Sequence, residues 1–268
     1  TGVEYKGRRL GEMDSRYEPY WLEIWARVSR TGTGERHQRY ASALGLWFDF
    51  NVFAVGEPQD RQVAVVFQDI TRQKKAEQTL QESETRHSLL VRLGDELRDL
   101  ASSEEIENSA ARLLGQHLKA ARAYYVQYDE EASAACIHCD YVEADEVSIA
   151  GHYRMDDSSC IHRILRNSQV LAVADLAAFE NIPSAEREPY LALGIRALLC
   201  VSLVKYGKLV AALAVTSKTL RQWTPLEVGL VQETAERTWA ALERSRAEAA
   251  LREANRRKDE FLATLCLL

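Results

Sequence analysis

The chain has 268 residues, more than one ordinary domain of roughly 100–200 residues requires, so two modest domains are expected. With 46% hydrophobic and 28% charged residues it is too apolar for a disordered chain, and a buried core is expected. The 40 acidic and 34 basic residues leave a formal charge of −6 without a block of Lys or Arg able to track a phosphate backbone, which argues against nucleic-acid binding.

Residues 1–71 alternate short helical and strand-like pieces, with Arg39–Phe53 and Arg61–Asp69 as the clearest strands. Trp47-Phe48-Asp49-Phe50-Asn51-Val52-Phe53 partly alternates apolar with polar, and Val63-Ala64-Val65-Val66-Phe67 is a β-branched run. Gly56-Glu57-Pro58-Gln59-Asp60 between them carries turn residues, so an antiparallel hairpin with a long loop is expected. The aromatic set Tyr17, Tyr20, Trp21, Trp25, Trp47, Phe48 and Phe53 reads as a small core before it reads as a pocket.

Residues 72–100 lack proline and mix Gln, Glu, Lys, Arg and Leu, the pattern of a long helix. Ala76, Leu80, Ser83, His87, Leu90 and Leu97 fall on a 4-3 seam that Gly94 interrupts, as in a helical dimer. Ser102 and Glu105 have capping-box spacing for a helix to about Leu118. Strands are expected at Arg122–Tyr128, Ala135–Val142, Val147–Tyr153, Val170–Ala174, Ala197–Val204 and Leu209–Ser217, with short helices at Ser158–Arg166 and Ser184–Leu193. Lys205-Tyr206-Gly207-Lys208 joins the last two strands as a tight hairpin.

Thr224-Pro225 opens a helix that nothing interrupts before the end. Val231, Ala235, Thr238, Leu242, Ser245 and Ala249 keep a 4-3 spacing, and a helix so poor in large core residues is expected to need a partner helix rather than its own domain. A parallel homodimer follows. The most apolar stretches, Ala197–Val204 and Leu209–Val215, are under half the roughly 20 residues that span a bilayer. The chain starts at Thr1 without a signal-peptide pattern and reads as a fragment whose parent can carry an anchor upstream. Five cysteines fit reduced thiols and a cytoplasmic setting.

At Val65-Val66-Phe67-Gln68-Asp69-Ile70-Thr71, running straight into the charged helix, the sequence resembles the C-terminal part of a PAS domain, shorter than a whole one. In that family the aspartate and threonine, here Asp69 and Thr71, tie the last strand to a signalling helix. Gly194-Ile195-Arg196-Ala197-Leu198-Leu199-Cys200-Val201, the turn Tyr206-Gly207 and Arg221-Gln222-Trp223-Thr224-Pro225-Leu226-Glu227 resemble a GAF domain over roughly Leu89–Leu242. Arg257-Lys258-Asp259-Glu260-Phe261-Leu262-Ala263-Thr264-Leu265 resembles the start of the phosphoacceptor helix of sensor histidine kinases. There the family continues Ser-His-Glu, and this chain has Cys266-Leu267-Leu268, which cannot accept a phosphoryl group.

The expected fold class is therefore α+β, with two mixed antiparallel-sheet sensor domains joined and followed by long coiled-coil helices. The divisions are a PAS-like domain at 1–71, a linker helix at 72–100, a GAF domain at 101–240 and a coiled-coil helix at 241–268. The resemblances imply the sensory region of a two-component sensor histidine kinase, acting on a response regulator through its parent. The same sensory pair driving a cyclase or a transcription regulator is the alternative. The segment itself has no Gly-rich phosphate loop, since Thr31-Gly32-Thr33-Gly34 is only a turn, and it is expected to be non-catalytic.

The ligand stays open, and no cofactor is required. Cys160 and His162 fall at a helix start, where a thiol is activated, and bilin-binding relatives attach chromophore in a comparable region. The usual bilin positions instead hold Glu186, Thr216 and Ser217. Haem would use His138, His152 or His162, although a lone histidine is more often packed or on the surface. The cyclic-nucleotide pattern survives only as Ser217-Lys218, Trp223 and Glu227. Cys136 and Cys139 on one strand would point to opposite faces and not chelate a metal. A thiol-dependent methionine sulfoxide reductase would need Cys160 to meet Cys136 or Cys139.

Overall fold

The computed structural model of the chain describes residues 18–144, 146–155, 159–167 and 170–265, so Tyr17, Ser158 and Cys266-Leu267-Leu268 lie outside the described residues. The chain divides into two units between Glu84 and Thr85.

In the first unit, α1 (Pro19–Thr31) opens with proline in its first turn and ends at Gly32, whose φ of +69° lets its N–H reach the Val28 carbonyl at 2.9 Å. The i, i+3, i+4 spacing of Trp21, Ile24 and Val28 lays one apolar face on a three-stranded antiparallel sheet of β1 (Glu35–Ala41), β2 (Leu46–Val55) and β3 (Gln62–Asp69). The expected single strand Arg39–Phe53 is two strands. Leu44 and Gly45 donate to the Ala41 carbonyl, and Gly45 takes φ +68°, which turns the chain.

At the end of β3, Asp69 Oδ1 accepts the Thr71 N–H at 2.8 Å and Thr71 Oγ1 accepts the Trp47 N–H at 2.8 Å. These two bonds join the sheet to α2 (Thr71–Arg98) at its first turn. Only the last part of α2 is buried, through Leu89, Leu90, Leu93 and Leu97 of the second unit.

The second unit is a seven-stranded antiparallel sheet ordered β7-β5-β4-β10-β9-β8, with β6 also on β4. Its elements are α3 (Ser103–Leu118), β4 (Arg122–Asp129), β5 (Ala134–Ile137), β6 (Asp140–Val142), β7 (Gly151–Arg154), α4 (Cys160–Asn167), β8 (Val170–Val173), α5 (Ser184–Ala192), β9 (Ala197–Lys205), β10 (Lys208–Ser217) and α6 (Pro225–Leu265). Alternation along each strand splits the apolar residues between two cores. Ala123, Tyr125, Leu199, Val201, Leu213 and Val215 pack under α2, α3 and α6 on the back face. Tyr124, Val126, Leu198, Cys200, Ala212 and Ala214 face the opposite way. A bulge between Leu209 and Ala211 resets the alternation in β10. Tyr206 and Gly207 both take positive φ, 53° and 78°, as a two-residue type I′ hairpin requires.

Three expectations change in this unit. The strand Ala135–Val142 divides at His138-Cys139, because β5 pairs with the far end of β4 and β6 with its start, with one extra residue between the two registers. The strand Val147–Tyr153 shortens to β7, since Asp140 instead holds the loop before it by accepting Ser148 Oγ–H at 2.6 Å and the Ile149 N–H at 2.8 Å. Ser102 does precede α3 in extended geometry, but its side chain makes no capping bond.

The seam of α6 also finds its partner within the chain. Val231, Ala235, Thr238, Leu242 and Ser245 are all buried, the Thr238 hydroxyl donates to the Thr234 carbonyl at 2.7 Å, and Ser245 Oγ donates to the Ala101 carbonyl. The first half of α6 is thus held by its own domain, because α2 and the sheet supply the large residues that its seam lacks. The expected Thr224 cap is present as a reciprocal capping box with Glu227, at 2.8 and 3.2 Å. No helix among the described residues is long and apolar enough to cross a membrane.

Candidate functional site

On the front face the strands do not meet a layer of long helices. They are covered by α4, α5 and the segment around residues 146–155, which stand off the sheet and leave a cavity of about 500 Å³. Strand alternation aims Tyr124, Val126 and Tyr128 of β4 into it, with Ala135 and Ile137 of β5 beside them. Leu165, Leu171, Leu193 and Ile195 add apolar wall, and Tyr190 enters from α5.

At the start of the same strand β4, Arg122, only 2% exposed, donates to the Val147 and Leu193 carbonyls at 3.0 Å each and pairs with Glu146. This guanidinium ties β4, the 146–147 segment and the end of α5 together. Glu186 fixes the start of α4: its oxygens accept the Cys160 N–H at 2.9 Å, Ser159 Oγ–H at 2.8 Å and the Ile161 N–H at 3.3 Å. A carboxylate there complements the positive end of the helix. Burial pushes the phenols of Tyr124 and Tyr128 well above their usual value, the Tyr190 phenol to about 12 and the Cys200 thiol to about 12.

Of the four expected site residues, His162 lines the cavity, its ring stacked on Tyr128 at 6.3 Å and 15°. Cys160 begins α4 but does not line it; its thiol is buried, donates to the Asn181 carbonyl at 3.3 Å and accepts from Arg163 Nη2 at 3.1 Å. His152 is exposed on β7. His138 lies on the back face, where its Nδ1 is 2.9 Å from Glu107 Oε2. Glu107 is fully buried and also accepts from Gln127; burial raises its carboxyl and the two hydrogen bonds oppose that.

Because the strand breaks at His138-Cys139, Cys136 and Cys139 do not point to opposite faces as expected. Both thiols are raised by burial and by the Glu107 charge, Cys139 to about 12, and Cys139 Sγ reaches the Glu104 carbonyl at 3.6 Å. No cluster of three His, Cys, Asp or Glu residues that could hold a metal occurs among the described residues. Cys160 packs on the front and the other two thiols at the back, so a nucleophilic and a resolving thiol are not brought together. A bilin on Cys160 likewise does not fit, since the thiol is turned to Asn181 and Arg163 rather than into the cavity. The tyrosines and Arg122 were not singled out from sequence, although the 124, 126, 128 alternation carried the signal.

A two-faced antiparallel sheet with long helices on one side and a partly open cavity on the other defines an α+β domain. The GAF domain family profile matches residues 103–242, and the chain belongs to that family. Among solved structures, the phycoerythrobilin-bound and phycocyanobilin-bound GAF domains of a cyanobacterial phytochrome each align with a TM-score of 0.54 and 15% identity over 61% of this chain, covering 97% and 96% of those chains. A far-red absorbing dark-state structure with bound biliverdin aligns with a TM-score of 0.51 and 14% identity over 59% of this chain and 99% of that one. These likenesses extend to the fold. A search of curated proteins returned no significant match.

Proposed function

We propose that this chain is the sensory and signal-transmitting region of a two-component sensor histidine kinase, in which a small molecule held in the GAF cavity biases the packing of α6. One observation carries the reading: cavity and output helix use alternate residues of the same strands. Tyr124 and Val126 face the cavity while Ala123 and Tyr125 face the helices, so a displacement of β4 or β10 by a ligand is felt at Val231, Ala235 and Leu242. The first unit acts as a PAS-like input whose Asp69 and Thr71 bonds hand strand motion to α2. The exposed parts of the helices, with Leu80 at 61% and Leu251 at 63% exposure, form the seam of a homodimer in the cytoplasm. The run Arg257–Leu265 supports a kinase dimerisation helix as the next element, with a response regulator as the partner of the parent kinase.

Two experiments test this. Hydrogen exchange of the full chain, with and without a molecule that binds the cavity, is expected to change protection along residues 230–245 of α6; unchanged protection there removes the transmission step. Reading the gene beyond residue 268 tests the output: an ATP-binding kinase domain supports the proposal, and a cyclase or DNA-binding domain replaces the kinase by that other output.

A further inference from the structure

The chemistry inside the cavity narrows what enters it, taking the cavity as the ligand site proposed above. Most of the wall is apolar, yet three phenols stand in it. Tyr124 is 6% exposed, and neither its hydroxyl nor those of Tyr128 and Tyr190 makes a hydrogen bond to any described residue. Tyr153, by contrast, donates to the Ile149 carbonyl. These hydroxyls open on the cavity, where an acceptor on a ligand can take the bond that no described residue takes. Burial keeps the protons on these phenols at any physiological pH, so they present O–H donors.

Besides the phenols and Cys200, the ionisable side chains among the described lining residues are Arg154, His162 and Glu186. Cys200 stays a neutral thiol, and the Glu186 carboxylate is turned to the N–H groups at the start of α4. No lysine is among the described lining residues, the His162 ring is stacked on Tyr128, and Arg154 on the edge strand β7 is exposed, where solvent screens it. Among the described residues, an organic acid or base here would meet no buried counter-charge that is not already engaged. At ordinary packing density the volume takes about 20 non-hydrogen atoms.

We infer that the cavity binds an uncharged, ring-containing molecule whose polar atoms are hydrogen-bond acceptors of the ketone or quinone type, received by the hydroxyls of Tyr124, Tyr128 and Tyr190. The test is equilibrium dialysis of the full chain against three probes of nearly equal shape: 9-fluorenone, fluorene and 9-fluorenone-4-carboxylate. Fluorenone binds tightest, with fluorene and the carboxylate each weaker by about threefold or more. Tyr124→Phe, or Tyr190→Phe where the first variant fails to fold, weakens fluorenone by about three- to tenfold and leaves fluorene unchanged. Ala214→Leu, which fills the cavity, weakens all three. Fluorene or the carboxylate matching fluorenone, no binding by any probe, or indifference to the loss of a phenol overturns the assignment of ligand class. Probe binding that ignores Ala214→Leu lies elsewhere, and it overturns the cavity as ligand site instead.

Discussion

At the level of single residues, the acid behaviour of the first unit is shared by Glu18, Glu35 and Asp49, each held at about 2, of which Asp49 is the buried one. Arg36 Nε and Nη2 donate to it at 2.9 and 2.7 Å and Gln38 Nε2 at 3.0 Å, and together they hold its carboxyl at about 2 against an ordinary 3.8. A folded value below the unfolded one stabilises the fold above the unfolded pKa, and that stability is lost as pH falls from about 4 towards 2. Asp49→Asn is expected to lower stability near neutral pH and to flatten this acid loss, measured as urea midpoint against pH; an unchanged slope would remove Asp49 from the account. Arg122 is the corresponding residue of the second unit. Arg122→Met leaves two carbonyls without their buried donor and Glu146 with only the half-exposed Lys218 at 2.8 Å, and a loss of about 2–4 kcal/mol is expected in urea unfolding. This residue was hard to read from sequence, since an arginine at a strand start is ordinarily a solvated one. His162, placed near a helix start by the sequence, lines the cavity, whereas His138 and His152 resembled it in composition and differ in the face to which the strand register turns them.

At the level of elements, most boundaries followed from hydrophobic period and turn chemistry. The β9–β10 hairpin was legible because Tyr206-Gly207 has the residues that a type I′ turn demands, and the start of α6 because Thr224, Pro225 and Glu227 form a capping box. Register was not legible: the break at His138-Cys139 depends on which half of β4 each piece pairs with, and a period-2 pattern runs unchanged through it. The seam of α6 shows the same difficulty, because a 4-3 pattern fits a partner helix from another copy and α2 of the same chain equally well. Its packing inverts what a coiled-coil seam would do. Thr238→Leu and Ser245→Leu force larger side chains into a closed core and remove the bond to Ala101, so each is expected to destabilise the second unit by about 1–3 kcal/mol rather than strengthen a dimer. A raised urea midpoint for either variant would mean that the seam is open. Gly115 sets the approach of α3 to β6, since a Cβ there would overlap the Tyr141 ring. Gly115→Ala should lower the melting temperature despite its better helix propensity, and Tyr141→Ala in the same chain should recover part of the loss; a neutral single variant would show that the ring swings clear at no cost.

For the whole molecule, the two local signatures read from the sequence stand where the long helices begin: Asp69-Ile70-Thr71 before α2, and Arg221–Glu227 before α6. The latter segment is structural in this chain. Arg221 donates to the Leu118 carbonyl at 2.8 Å, pairs with Glu227 at 2.6 Å and stacks over Trp223 at 4.6 Å, while Trp223 donates to the Val173 carbonyl at 3.2 Å. Oligomeric state was not legible by the same means, since half of each proposed seam is already covered inside one chain. What is left for a second copy is the first part of α2 and the part of α6 beyond Ser245. If the homodimer forms there, Leu80→Arg and Leu251→Arg together place four like charges along the paired helices and shift sedimentation equilibrium from dimer towards monomer, without moving the unfolding of the second unit, whose core neither residue enters. Leu90→Arg would instead unfold that core, because Leu90 is 5% exposed among the residues beneath α6. A chain that stays dimeric with the first pair of changes dimerises through some other surface, and signal transfer along α6 would then need a different partner from the one proposed.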